Sequence, residues 1–241
     1  MMISQNLVKP SGMIQMINVL TAVERKAYNY LLYKARKSTD DGPWEVPMAE
    51  LELYLGMDRR NRAFLMDVLA EMLKHTITYN VFNKDKTDIW HTHSALFSQV
   101  GFNLDSTAVR YALPPDLLLI LRNPSMYAKI DMHQQFQLKS STAVALYEYY
   151  VDQLGGKRLN CNVKVKVEDL RTLLGWQNKY EKQKEMNRQL EAANDQIRLL
   201  GELNIDMAPI KMGRKTQFFD IHISRKATAE TAMSVIRNIL S

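Results

Sequence analysis

The chain has 241 residues, 46% hydrophobic and 24% charged, which suits a folded soluble protein with two cores of roughly 120 residues each. Its one cysteine, Cys161, allows no internal disulfide and no cysteine metal spacing, and its longest aliphatic run, Leu117 to Leu121, is far too short to cross a bilayer. The net charge of +6 is uneven: residues 157–226 carry 15 Lys and Arg against 9 Asp and Glu, while residues 1–156 carry 16 of each.

In chain order, Thr21 to Lys37 places Val23, Ala27, Tyr30, Leu31 and Lys34 at helical spacing, and Thr21 with Glu24 forms a capping box. "PMAELELYLG" predicts a short helix that starts after Pro47 and ends at Gly56 in the left-handed conformation. Asp58 then caps a longer helix through His75, with Leu65, Val68, Leu69, Met72 and Leu73 as its buried stripe. "TITYNVF" and "IWHTHSALFSQVGF" alternate at period two around "NKDKTD" and read as a hairpin. "LPPDLLLILRNPSMYAKI" predicts a short helix broken by Pro124.

The same order then recurs. Ser140 to Leu154 is a tyrosine-rich helix, "NVKVKV" a strand, "EDLRTLLG" a short helix, Tyr180 to Leu203 a long helix, and "NIDMAPI" with "TQFFDIHI" a hairpin around "KMGRK". An amphipathic pattern from Thr228 to Leu240 predicts a last helix. "VPMAELELYLGM" at Val46 and "VKVEDLRTLLGW" at Val165 align at an offset of 119 residues, which puts Leu51 on Leu170, Leu55 on Leu174 and Gly56 on Gly175. The same offset sets Tyr28 on Tyr147 and Tyr30 on Tyr149. Helix, short helix, tight turn, long helix and hairpin describe a winged helix-turn-helix, so the expectation is an α+β chain of two tandem units related by duplication, residues 1–122 and 123–241.

In such a unit the start of the second helix meets the DNA major groove. The first unit offers Arg59, Arg60, Asn61 and Arg62 there, although cations at a helix N-terminus oppose its dipole by about 0.3–1 kcal/mol each. In the second, Lys182, Lys184, Asn187, Arg188 and Gln189 lie opposite the core stripe Met186, Leu190, Ala193, Ile197 and Leu200. They combine phosphate-neutralising cations with the amide and guanidinium groups that read adenine and guanine, though a solvated face would carry similar residues. Arg214 and Lys215 form a basic wing tip suited to backbone or minor-groove contact. Ile77, Tyr79 and Val81, on a long hairpin strand, are candidates for pairing with a second copy.

The segments "LTAVERKAYNYLLYKAR", "STAVALYEYYVDQ", "VKVEDLRTLLGW" and "NIDMAPIKMGRKTQFFDIHI", in this order, resemble the iteron-binding plasmid replication initiators of the theta type. Gln183, Asn187 and Gln189 depart from the more basic, more aromatic recognition helix usual in that family. The resemblance implies a DNA-binding protein rather than an enzyme, with no cofactor. It would bind repeated duplex sites at an origin, open the origin, recruit the host initiator and replicative helicase, and repress its own gene. It would be a dimer in equilibrium with a monomer, with the first unit contacting DNA backbone and governing assembly and the second reading sequence. The N-terminus also lacks a signal-peptide pattern, so a cytoplasmic, nucleoid-associated protein with no membrane partner is expected. A winged-helix transcription regulator would use the same surfaces. A rolling-circle nicking initiator would need paired histidines, for which His91 and His93 are candidates, but Thr92 stands between them where a bulky hydrophobe is expected.

Overall fold

The computed structural model describes residues 6–14, 20–82, 89–156, 158–213 and 215–226, with the backbone alone for 79–82 and 89–91. The expected terminal helix from Thr228 to Leu240 lies outside the described residues. The chain begins with β1 (Asn6–Pro10) and one turn of helix, α1 (Ser11–Ile14), before α2 (Ala22–Lys37). Next come β2 (Trp44–Pro47), α3 (Met48–Leu55) and α4 (Arg62–Glu71), the last flanked by 3-10 turns at Arg59–Asn61 and Met72–Lys74. Strands β3 (Thr76–Phe82), β4 (Ile89–Ala95), β5 (Gln99–Phe102) and β6 (Ala108–Ala112) lead to α5 (Pro115–Arg122), β7 (Tyr127–Asp131) and α6 (Met132–Gln137). The second half is α7 (Ser141–Leu154), β8 (Asn160–Lys166), α8 (Val167–Leu173), α9 (Gln183–Leu199), β9 (Leu203–Met212) and β10 (Lys215–Arg225).

Two winged helices therefore follow one another, and their elements coincide at the 119-residue offset: α2 with α7, β2 with the end of β8, and α3 with α8. Local chemistry fixes the ends of these helices. Thr21 and Glu24 cap α2 reciprocally, with Glu24 N donating to Thr21 Oγ1 at 3.2 Å and Thr21 N donating to Glu24 Oε2 at 2.7 Å. Ser140 accepts from Ala143 N at the start of α7. Each wing is a three-stranded antiparallel sheet with the last strand in the middle, in the orders β2-β6-β5 and β8-β10-β9.

The first wing departs from expectation. The stretch "IWHTHSALFSQVGF" is two strands, β4 and β5, because Leu96 and Phe97 are both buried and so break the alternation. Phe97 packs edge-on against Tyr28 and Tyr111, with centroids 5.4 and 5.8 Å apart. The β5–β6 hairpin is the wing, and β3–β4 is a separate two-stranded hairpin. Leu73 leaves the buried stripe of α4, because the tighter 3-10 turn at Met72–Lys74 advances the side chains faster around the axis. Helix α9 is shorter than its expected span of Tyr180 to Leu203, and Leu200 is only half-buried.

Residue 122 is the end of α5, and the chain beyond it runs back to the first unit: β7 pairs with β1 in antiparallel register from Asn6–Asp131 to Pro10–Tyr127. Helix α7 packs on β7, α1 and α2 on one side and on α9 and β8 on the other. The two units thus share one continuous core. No helix among the described residues is long and apolar enough to cross a membrane.

Candidate nucleic-acid interface

In each unit the short helix, a left-handed glycine and the following helix form the helix-turn-helix. Leu51 and Leu170 are buried at equivalent positions, and Leu55 and Leu174 are half-buried. In the second unit, sequence reasoning missed the residue that organises the turn. The Arg171 guanidinium on α8 donates to the carbonyls of Trp176 (3.1 Å), Lys179 (2.7 Å) and Tyr180 (2.5 Å), tying together the stretch that leads into α9. Trp176 is buried edge-on to Tyr180 at 4.6 Å between centroids, and Tyr180 takes a positive φ of 52°. Behind α9, Asn194 accepts from Tyr150 Oη at 2.9 Å, and Gln196 Oε1 accepts from Lys139 N at 3.0 Å, so polar anchors fix the helix on α7.

That scaffold presents the expected residues together. Lys182 is the N-cap residue of α9, and Lys182, Lys184 and Arg188 are exposed on its first turns. Asn187 and Gln189 are half-buried, and Asn187 Oδ1 accepts from Gln183 Nε2 at 2.7 Å, which fixes the orientation of that amide. Across the sheet, Lys211 and Lys215 are exposed on either side of Gly213 at the wing tip. Arg214 lies outside the described residues. Lys164 and Lys166, which the sequence reading did not single out, stand exposed on β8, with Lys164 Nζ 4.5 Å from the ring centroid of Phe218. Their signal was the alternation of lysine and valine in "VKVKV", whose Val165 points to the core. Among the described residues no carboxylate forms an ion pair with Lys164, Lys166, Lys182, Lys184, Arg188, Lys211 or Lys215. Their charge is open to phosphate.

The first unit is built differently. Arg60 is held by Asp58 (2.7 Å), which also caps the 3-10 turn through Arg60 N (2.8 Å). Arg62 forms a two-pronged pair with Glu52 of α3, Nε to Oε1 at 2.6 Å and Nη2 to Oε2 at 2.9 Å. This clasp between α3 and α4 ties Arg62 into the scaffold and turns it away from a phosphate role. Arg59 and Asn61 are exposed. The rest of the outward face of α4 carries Phe64, 53% exposed, with Asp67 and Glu71. The tip of the first wing, 103–107, reads "NLDST" and has no cation. Of the strand residues expected at a dimer contact, Ile77 is fully buried and belongs to the core of its own unit, a correction that follows from the strand's inward face. The side chains of Tyr79 and Val81 lie outside the described residues.

The comparisons with known proteins agree with this architecture. A family model described as "Initiator Replication protein, WH1" matches residues 6–151, and one described as "Initiator Rep protein, WH2" matches residues 166–223. Among solved structures, the Pi initiator protein in complex with iteron DNA superposes with a TM-score of 0.69 at 10% identity, covering 93% of this chain and 99% of that one. Domains 2 and 3 of RctB superpose with a TM-score of 0.55 at 10% identity, covering 87% and 84%. No curated protein matches the sequence.

Proposed function

The chain belongs to the initiator replication protein family, with a first and a second winged-helix domain, and from that premise we propose that it starts plasmid replication by binding repeated duplex sites at an origin. The observation that carries this reading is the set of uncompensated cations at the N-terminal end of α9 and on the β9–β10 wing, beside the amides of Asn187 and Gln189. The second unit reads the site: α9 enters the major groove, and Lys211 and Lys215 grip the flanking backbone. The first unit adds backbone contacts through Arg59 and Asn61. The chain acts by binding, without bond-making chemistry or a cofactor. It opens the origin, recruits the host initiator and replicative helicase, and represses its own promoter in the nucleoid. The Pi initiator complex with iteron DNA, on the same fold, supports the iteron as the class of site.

Assembly belongs to the first unit. Strands β3 and β4 pair with each other alone among the described residues, so their outer backbone edges can accept a strand from a second copy.

Footprinting on the DNA that flanks the gene, joined to a maintenance assay, tests this function. Protected direct repeats spaced by about two helical turns, and loss of a plasmid deprived of the gene, are expected. Protection of a lone promoter site, with the plasmid kept without the gene, would make the chain a transcription regulator instead.

A further inference from the structure

Where α7 packs on β1, α2 and α6 lies a buried polar cluster that DNA contact does not account for; its residues fall within the stretch matched by the first winged-helix model, and the same helix carries α9. Glu148 of α7 is fully buried. Its Oε2 accepts from Lys9 Nζ of β1 at 2.8 Å and from Arg25 Nη1 of α2 at 3.3 Å. Its Oε1 accepts from Asn29 Nδ2 of α2 at 2.6 Å and from Gln135 Nε2 of α6 at 2.8 Å. The donors are cross-linked as well: Lys9 Nζ donates to Asn29 Oδ1 at 2.8 Å, and Asn29 Nδ2 to Gln135 Oε1 at 2.9 Å. All five side chains are at most 4% exposed.

Sliding any of these elements would strand a buried charge or amide without water, which is costly. The symmetry of the contact adds to this. The 119-residue offset puts Asn29 on Glu148, so α2 and α7 meet through equivalent positions, as related surfaces do across a two-fold axis.

We propose that Glu148 is a positioning residue whose carboxylate fixes the second helix-turn-helix relative to the first, and with it the spacing and phase of the two DNA segments that one chain reads. The DNA half of this statement rests on the function proposed above; the orientation half stands without DNA.

Spin labels at two exposed helix positions, Ala70→Cys on α4 and Ala192→Cys on α9, with Cys161→Ser, measure the relation directly in the full-length chain. The parent should give one narrow distance distribution, and Glu148→Gln should broaden it while circular dichroism stays unchanged. Where Glu148→Gln fails to fold, Asn29→Ala leaves both ion pairs in place and should still broaden the distribution. A narrow, unshifted distribution in the variant that folds, or a broad one in the parent, overturns the proposal. On DNA, moving one half of the site by about five base pairs, half a helical turn, should cost the parent tenfold or more in affinity and Glu148→Gln less than threefold. Equal spacing dependence in both proteins overturns the phase claim. A parent that binds no origin site sinks the proposed function and leaves the label distances to decide orientation.

Discussion

Gly56 and Gly175 stand 119 residues apart, and both adopt a φ of 65°. Each N–H donates to the carbonyl three residues back, Leu53 and Thr172, at 3.2 Å. The N–H of each following residue, Met57 and Trp176, reaches the carbonyl five back, Glu52 and Arg171, at 2.9 and 2.7 Å. The duplicated turn is therefore the same turn in atomic detail. A side chain in this left-handed conformation costs about 1–2 kcal/mol, so Gly175→Ala should lower stability by that amount in chemical denaturation. Gly56→Ala should add a close contact to that conformational cost, since its Cβ would meet the Phe136 ring at 3.0 Å. A Gly56→Ala midpoint shifted by no more than the conformational cost alone would mean that the Phe136 ring simply moves aside.

Those turns show what the sequence made legible. Glycine at the end of a short helix, the Thr21–Glu24 box and the 4-3-4-3 spacing of α9 are local signals; α2 and α3 stand where expected, and α9 lies inside its longer expected span. What escaped depends on partners far along the chain. β1 is five residues long, and its partner β7 lies about 120 residues away, so nothing local to either strand announces the pairing. Lys9, Arg25 and Glu148 lie far apart in sequence, and only the fold brings them together. In the first unit, Arg62 looked like a groove residue because its partner Glu52 sits ten residues earlier, on the other helix.

Arg171 makes no contact suited to a base or phosphate; its three acceptors are carbonyls of the turn. Arg171→Ala should loosen the approach to α9 and weaken site-specific binding about tenfold, equivalent to about 1.4 kcal/mol. The slope of log K against log salt should not change, because no phosphate contact is lost. A flatter slope would instead assign Arg171 to the DNA backbone.

The cations divide by partner. Lys182→Ala, Lys184→Ala and Lys215→Ala should each weaken binding to every sequence and flatten the salt slope by about 0.9. Arg62→Ala should leave the slope alone and lower the thermal midpoint, because it strands Glu52 between α3 and α4. Arg60→Ala, which frees Asp58, should fall between the two. Identical slopes across the series would contradict the division.

Acid should act through the Glu148 cluster. Burial pushes the Glu148 carboxyl up, but the nearby Lys9 and Arg25 charges outweigh it and hold the carboxyl below its ordinary range. A depressed folded value means that the contribution to stability is present above the unfolded value, about 4.3, and is lost as pH falls through the folded one. Asp152, one turn on and bonded to Ser11 at 2.5 Å, is the other carboxylate near Lys9. The thermal midpoint of the parent should therefore drop below about pH 4, and Glu148→Gln should remove part of that drop. Parallel curves for the two proteins would place the acid sensitivity elsewhere.

Base reading should concentrate at Arg188 and Asn187. Arg188 is exposed one turn into α9, unpaired among the described residues, with a fork that matches the O6 and N7 acceptors of guanine. Asn187 is already oriented by Gln183, so its Nδ2 is free to face an adenine N7. The outward face of α4 offers no equivalent pair, since it carries Phe64, Asp67 and Glu71. Arg188→Ala and Asn187→Ala should each cost about 1–3 kcal/mol on the cognate site and relax preference at one base position. Gln183→Ala should relax the preference at the Asn187 position by a smaller amount, through loss of orientation alone. Binding selections that show each variant weakened equally on cognate and random DNA would make these backbone contacts, and would move sequence reading away from α9.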